Sequence, residues 1–170
     1  MEVSMTRETY IRMTGKTRDV LARLPLGHRI AHLPTLLCAA VYLSALVYLM
    51  LLRDIRLLRA LLVPAACFIV CTALRPLIGR QRPYDRFDAE PVGPYRRGKG
   101  KSMPSRHTAS AAAIAIAVAW LYPAWPVAIS MALLCALIAA LRVLCGQHDL
   151  SDVLAAVLLS IVISLIGYMI

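Results

Sequence analysis

The chain has 170 residues, 60% of them hydrophobic, with a mean hydropathy of +0.70. A soluble domain is nearer half apolar; here the excess is gathered into long runs, so a water-soluble globule is excluded in favour of a single-domain integral membrane protein. The net charge of +10 suits anionic lipid headgroups, and no nucleic-acid partner is expected, because the basic residues flank apolar runs and have few aromatics among them.

In chain order, the first 27 residues are polar and mixed in charge, with no short apolar core or small-residue cleavage site, so no secretory signal peptide is expected. Residues 3–24 fit an amphipathic helix. Tyr10, Met13, Val20, Leu21 and Leu24 make a broken apolar stripe, and Arg7, Arg12, Lys16, Arg18 and Arg23 supply the wet side. Such a helix lies in the interface plane, although Gly15 weakens it. Two units are expected: the interfacial helix over 1–27 and a transmembrane domain over 28–170.

Five spans follow, at about 30–52, 57–78, 105–122, 124–142 and 149–170, each near the roughly 20 residues a bilayer core needs. Pro64 predicts a kink in the second. The third is small-sided, with alanine at 109, 111, 112, 113, 115, 117 and 119. Small residues let helices approach closely in lipid, so this helix belongs at the bundle centre. The predicted fold is therefore all-α: five transmembrane helices plus the N-terminal amphipathic helix. Cys38, Cys67, Cys71, Cys135 and Cys145 fall in or near apolar runs without metal-type spacing, so neither a disulfide nor a zinc site is expected.

Five crossings sort the turns by side. The 53–59 and 122–126 turns share one side, with Trp120, Tyr122 and Trp125 as part of an aromatic belt. The amphipathic helix, the 79–104 loop and the 144–148 turn share the other. The loop is rich in Pro, Gly and Arg, and two readings stand: a solvated linker attracted to anionic lipid, or a lid over a site.

Three polar clusters lie on that second side. Arg75 and Arg82 are seven apart and share a face if the helix is continuous, with Pro83 ending it. Two guanidiniums there could fork a phosphate, although a lone arginine at a boundary ordinarily snorkels to headgroups. Ser105 after Pro104 reads as an N-cap, and the first-turn N–H groups behind it form an anion site. His107 in that turn could donate a proton to a leaving oxygen or simply be hydrogen-bonded at a helix start. Arg142, His148 and Asp152 surround a turn that Gly146 permits. His148 and Asp152 are i, i+4 on one face, so a carboxylate on one imidazole nitrogen would leave the other free to attack. The plainer reading has Asp149 capping the helix and Asp152 complementing its dipole. Together the clusters make a set for phosphoryl transfer through a phosphohistidine, with no metal or other cofactor required.

The pattern resembles the type 2 phosphatidic acid phosphatase family, whose fold is also seen in vanadium haloperoxidases. Its first motif, Lys, six residues, Arg-Pro, is matched by Arg75 and Arg82-Pro83. Its second, Pro-Ser-Gly-His, is matched by Pro104-Ser105-Arg106-His107. Its third, Ser-Arg, five residues, His, three residues, Asp, is matched by Leu141-Arg142, His148 and Asp152. The resemblance covers about residues 57–160. It implies His148 as nucleophile, Asp152 as its orienter and His107 as general acid, with Arg75, Arg82, Ser105, Arg106 and Arg142 at the phosphate. Arg75 stands where the family has Lys, changing the fork geometry. Arg106 stands for Gly, so its side chain must point away or grip a second anionic group, and Leu141 for Ser, which removes one possible hydrogen bond.

The resemblance implies a membrane lipid phosphatase acting on a phosphate monoester or diphosphate of a lipid, such as phosphatidate, phosphatidylglycerophosphate or a polyprenyl phosphate, in a bacterial plasma membrane. Leaving Arg75, Arg82 and Arg106 aside, twelve Lys and Arg flank spans on the site side against three on the other, which predicts a cytoplasmic site by the positive-inside rule. The alternatives are an outward-facing undecaprenyl diphosphate phosphatase and a non-catalytic headgroup binder.

Overall fold

The computed structural model describes residues 5–24, 31–95 and 101–170, and every regular element among them is a helix. The first residues predicted for the amphipathic helix, the 27/28 boundary, the predicted start of the first span at Ile30 and the basic stretch 96–100 lie outside the described residues.

Helix α1 (Arg7–Ala22) is capped by Thr6, whose side chain accepts from the Thr9 N–H. It buries Tyr10 and Thr14, while Val20 and Leu24 are exposed. Four apolar helices follow the expected spans: α2 (Leu33–Leu51), α3 (Arg56–Ile78), α6 (Trp125–Leu144) and α7 (Leu150–Met169). Each is long and apolar enough to cross a membrane. Their outer faces present Leu36, Ile69, Leu133 and Leu158, all more than 60% exposed. Helices apolar all round in this way belong in lipid, and this is a membrane protein.

Between α3 and α6 lie a single turn, α4 (Pro83–Arg86), and α5 (Arg106–Leu121). With 16 residues, α5 is about 24 Å long, short of the length a bilayer core asks of a straight helix. It is nevertheless the centre of the bundle, packing against α2, α3, α6 and α7. Its buried alanines allow this. Ala111, Ala112 and Ala115 meet Cys38 of α2 and Met131, Cys135 and Ile138 of α6, while Ala109 meets Cys71 of α3 and Ala156 of α7. The Ser160 hydroxyl donates to the Ala109 and Ala156 carbonyls, both at 2.9 Å, so α7 follows the backbone of α5 closely.

The two ends of α5 fix the direction of the bundle. Leu121 packs with Ala45, Leu49 and Ala60 where α2 ends and α3 begins. Trp120 stacks on Tyr168 near the end of α7, with ring centroids 4.6 Å apart. At its start, the Ser105 N–H donates to the Asp152 carbonyl, 3.1 Å away, in the first turn of α7.

Helix α1 packs over the same end as that first turn. The Tyr10 hydroxyl donates to the Gly146 carbonyl at 3.3 Å, Arg7 reaches the Phe87 carbonyl and Arg18 the Glu90 carbonyl. The N-terminal helix, the described parts of the 79–104 loop and the 144–148 turn thus share one end.

Candidate active site

The end of α3 departs from the sequence expectation. Gly79, at φ +64°, takes the left-handed cap position and its N–H returns to the Arg75 carbonyl at 3.0 Å. A residue with a Cβ is strained at that angle, so glycine stops the helix there. Arg75 and Arg82 are therefore not on one continuous helix. Arg82 is extended at φ −74° and ψ 152°, and Pro83 opens α4 instead of ending α3, which suits a residue with no N–H to lose.

Arg75 is buried at the base of the site. Its Nη2 donates to the Lys101 carbonyl, and among the described residues its Nε has no hydrogen-bond partner. Arg82 lies with its guanidinium 5.6 Å from the Tyr84 ring centre. Arg142, in the last turn of α6, donates to Gln147 Oε1 at 2.7 Å. Its carbonyl accepts from the Gln147 and His148 N–H groups, folding the turn back so that His148 faces α7. Gly146 makes this reversal at φ +72°, and an added Cβ would come within 2.6 Å of Tyr10 and Thr14. The N-terminal helix thus braces the turn that carries His148.

Ser105 is the residue before α5, as expected, but its side chain does not cap the helix. Its Oγ accepts from Thr108 Oγ1 at 3.1 Å and its N–H is used on Asp152. The helix ladder begins with the Ala109 N–H on the Ser105 carbonyl, so the N–H groups of Arg106, His107 and Thr108 precede it and point out of the helix end. Arg106 and His107 are exposed.

Asp152 ties the clusters together. It forms a capping box with Asp149, whose N–H donates to Asp152 Oδ2 at 3.1 Å. The same Oδ2 is 3.3 Å from His148 Nδ1. The contact to the helix start and the contact to the imidazole, set out above as rival readings, meet on one fully buried carboxylate. His148 is itself only 3% exposed. Burial holds its imidazole below the ordinary histidine range, the bond to Asp152 pulling the other way and the neighbouring Arg82 adding to the depression. That direction favours the uncharged ring at neutral pH; Nδ1 faces Asp152, and among the described residues Nε2 makes no hydrogen bond.

The remaining predicted residues meet here through their charges. Arg75 lies within electrostatic reach of Arg82, Arg106 and Asp152, His148 of Arg82 and Arg75, Arg142 of Arg82, and His107 of Arg142, His148 and Arg106. All eight predicted site residues converge on one end of the bundle.

Three further residues belong to the cluster. Ser102, fully buried, donates from Oγ to Asp152 Oδ2. Arg80 places Nη2 3.2 Å from Asp149 Oδ2 and Nη1 3.3 Å from Asp152 Oδ1, the latter an ion pair without hydrogen-bond alignment. Asp149 also receives Arg86 at 3.3 Å. Their signals in the sequence were positional only: Arg80 is two residues before Arg82, and Ser102 two before Pro104.

The sequence profile of the PAP2 superfamily matches residues 56–170, more than half of the chain and all three clusters. The chain belongs to the PAP2 superfamily. As a PAP2-type phosphatase it is a hydrolase of phosphoric esters. Two solved PAP2 structures share its fold. The crystal structure of Aquifex aeolicus LpxE is similar with a TM-score of 0.75 at 20% identity, covering 99% of this chain and 98% of that one. The structure of the first transmembrane PAP2-type phosphatidylglycerolphosphate phosphatase from Bacillus subtilis is similar with a TM-score of 0.70 at 21% identity, covering 96% and 84%. A search of curated proteins gave no significant match. The PAP2 match begins at Arg56, the first residue of α3, so α1 and α2 lie outside it.

Proposed function

We propose that this PAP2 protein is a membrane lipid phosphatase that cleaves a lipid phosphate ester through a phosphohistidine on His148. The observation that carries the reading is the buried His148–Asp152 pair, held through Nδ1, with no hydrogen bond to Nε2 among the described residues, at the end of the bundle where Arg75, Arg82, Arg106 and Arg142 gather. Arg75, Arg82, Arg106 and Arg142, the Ser105 region and the free first-turn N–H groups of α5 would hold the phosphate oxygens.

In the first step His148 Nε2 forms a bond to phosphorus and the P–O bond to the lipid alcohol breaks. The departing oxygen takes a proton from His107. Asp152 accepts the Nδ1–H throughout and stabilises the charge on the ring. In the second step His107, now neutral, takes a proton from water. The resulting oxygen attacks phosphorus, the N–P bond breaks and inorganic phosphate leaves. Guanidinium and imidazole groups of this kind suit an anion, and the proposal needs no metal.

A lipid substrate is supported by the cavity beside His107. It holds about 370 Å³ between α2, α3, α5 and α6, lined by Thr35, Cys38, Phe68, Ala111 and Ile138 together with Arg106 and His107 from the first turn of α5. That volume suits a small-molecule chain: an apolar tail within it would put the ester oxygen next to His107. Arg106, in place of the family's glycine, would meet a second anionic group on a headgroup or diphosphate.

Five crossings are part of the same proposal, with α5 as a fifth span that is short because neighbouring helices cover it. The interfacial lie of α1 and a cytoplasmic site also belong to it. Contacts of Arg7 and Arg18 with the loop gather the basic residues at one end, and positive charge favours the cytoplasm. Phosphate release from a panel of lipid phosphates by purified protein, with and without EDTA, tests the activity: release from a lipid monoester or diphosphate that survives EDTA is expected. Headgroup binding without release would favour the non-catalytic reading, and loss of release on chelation would remove the metal-free mechanism. Labelling of cysteines placed in the 79–104 loop, in oriented vesicles, tests the side.

A further inference from the structure

The 79–104 loop begins and ends at one carboxylate. The Ser102 N–H donates to the Arg80 carbonyl at 2.9 Å, joining the two ends of the loop to each other. Both side chains then reach the start of α7. Ser102 Oγ donates to Asp152 Oδ2 and lies 3.4 Å from His148 Nδ1. Arg80 faces Asp152 Oδ1, and its Nη1 donates to Ser151 Oγ at 2.6 Å. Neither residue is a matched position of the three motifs, Arg80 falling in the unspecified spacer of the first.

We propose that Ser102 and Arg80 are positioning residues for the phosphoryl transfer, clamping the Asp152 carboxylate from the two ends of the loop so that it holds His148 by Nδ1. The inference rests on the role given to His148 above. A carboxylate has room for about four donors. Oδ2 takes three, from Ser102, the Asp149 N–H and His148, and Arg80 stands at Oδ1. With His148 alone as partner, the carboxylate could turn away from the imidazole. With Ser102 and the Asp149 N–H on Oδ2 and the Arg80 charge beside Oδ1, turning away would break these contacts, and part of the carboxylate charge is neutralised.

This gives a signature that a merely structural role would not. Among the described residues the charged and titratable groups facing His148 are Asp152 from α7, Arg82 from the start of α4, Arg75 from α3 and His107 from α5; Arg80 and Asp149 act on it through Asp152. Asp152 favours the protonated imidazole. Removing the Ser102 hydroxyl or the Arg80 charge leaves Asp152 more strongly basic, so His148 keeps its proton to higher pH.

The test is the pH profile of kcat/KM for Ser102→Ala, Arg80→Gln and Arg80→Lys on a lipid phosphate monoester. For Ser102→Ala and Arg80→Gln, kcat should fall about tenfold or more, as for loss of a hydrogen bond to a charged group. KM should stay within about threefold, since uniform binding is untouched. The acidic limb should move to higher pH in both, and Arg80→Lys should return it towards the wild-type position. If Ser102→Ala does not fold, the two Arg80 variants decide. Unmoved limbs with unchanged kcat would overturn the inference, as would a raised KM at constant kcat, which would place these residues on the substrate. Absence of release by the wild-type protein would instead remove the proposed function, and this inference with it.

Discussion

The two ends of α5 sit in opposite surroundings. At its end, Leu121 is held by Ala45, Leu49 and Ala60, and Trp120 by Tyr168, contacts that are apolar and interchangeable in kind. At its start, Ser105, Thr108, Asp152 and Ser102 are buried and joined by directed hydrogen bonds. A buried polar group costs free energy unless it is paired. Only a network with nearly every member satisfied can stay at such an end, and it is rigid for that reason. The difference separates stability from chemistry: the packed end holds the helices in register, and the polar end presents His107, His148 and the arginines.

The comparison can be broken most sharply at the polar end. His148→Ala should cut phosphate release by about four orders of magnitude or more, as removal of a nucleophile does, while the melting temperature stays near the wild-type value. His107→Ala should cost about 10²–10⁴-fold on a lipid ester. Its cost should be much smaller on an aryl phosphate whose leaving group departs unprotonated; an equal loss on both would remove the general-acid role.

At the packed end the signs reverse. Leu121→Ala should destabilise by about 2–3 kcal/mol, the lower part of the range for such a cavity, because helix packing in lipid lacks the full transfer from water. Activity per folded molecule should be nearly unchanged, and a collapse of kcat at intact stability would show that the two ends are not separable. Gly146→Ala lies between the two. It meets Tyr10 and Thr14 at a positive φ, so both stability and kcat should drop, and Tyr10→Ala in the same chain should recover only part of the loss because the strained backbone angle remains.

The smallest effect is on pH. The nucleophile is the neutral imidazole, so kcat/KM falls as pH drops through its pKa. Burial takes His148 below its ordinary 6.5. The acidic limb is therefore expected below pH 6.5, and activity falls again on the alkaline side as His107 loses the proton that the leaving oxygen needs. A limb above 6.5 would mean that the attraction of Asp152 outweighs burial.

Much of this was legible in the chain. Periodicity and punctuation put the second span at 57–78, and α3 covers Arg56–Ile78; the alanines of the third span mark the helix found at the centre. The motif spacings brought all eight predicted residues to one end. What stayed hidden depends on the chain folding back. Nothing near Arg80 says that it faces two carboxylates some seventy positions away, and in the sequence it is one arginine among several in a basic loop. Ser102 is fifty positions from Asp152 and has no local partner to betray it. The continuity assumed between Arg75 and Arg82 failed at Gly79: Pro83 drew attention as the helix breaker, while the left-handed glycine four residues earlier had already ended the helix.

The most direct test of the central claim is to look for the covalent intermediate. Purified protein is mixed with a lipid phosphate carrying ³²P, quenched in alkali within the first turnover, where a phosphohistidine survives, and digested. The account predicts label on the peptide containing His148, its loss in His148→Ala and its discharge as inorganic phosphate on a chase with unlabelled substrate. Turnover by an active enzyme with no protein-bound phosphorus, or with label on a different residue, would contradict it.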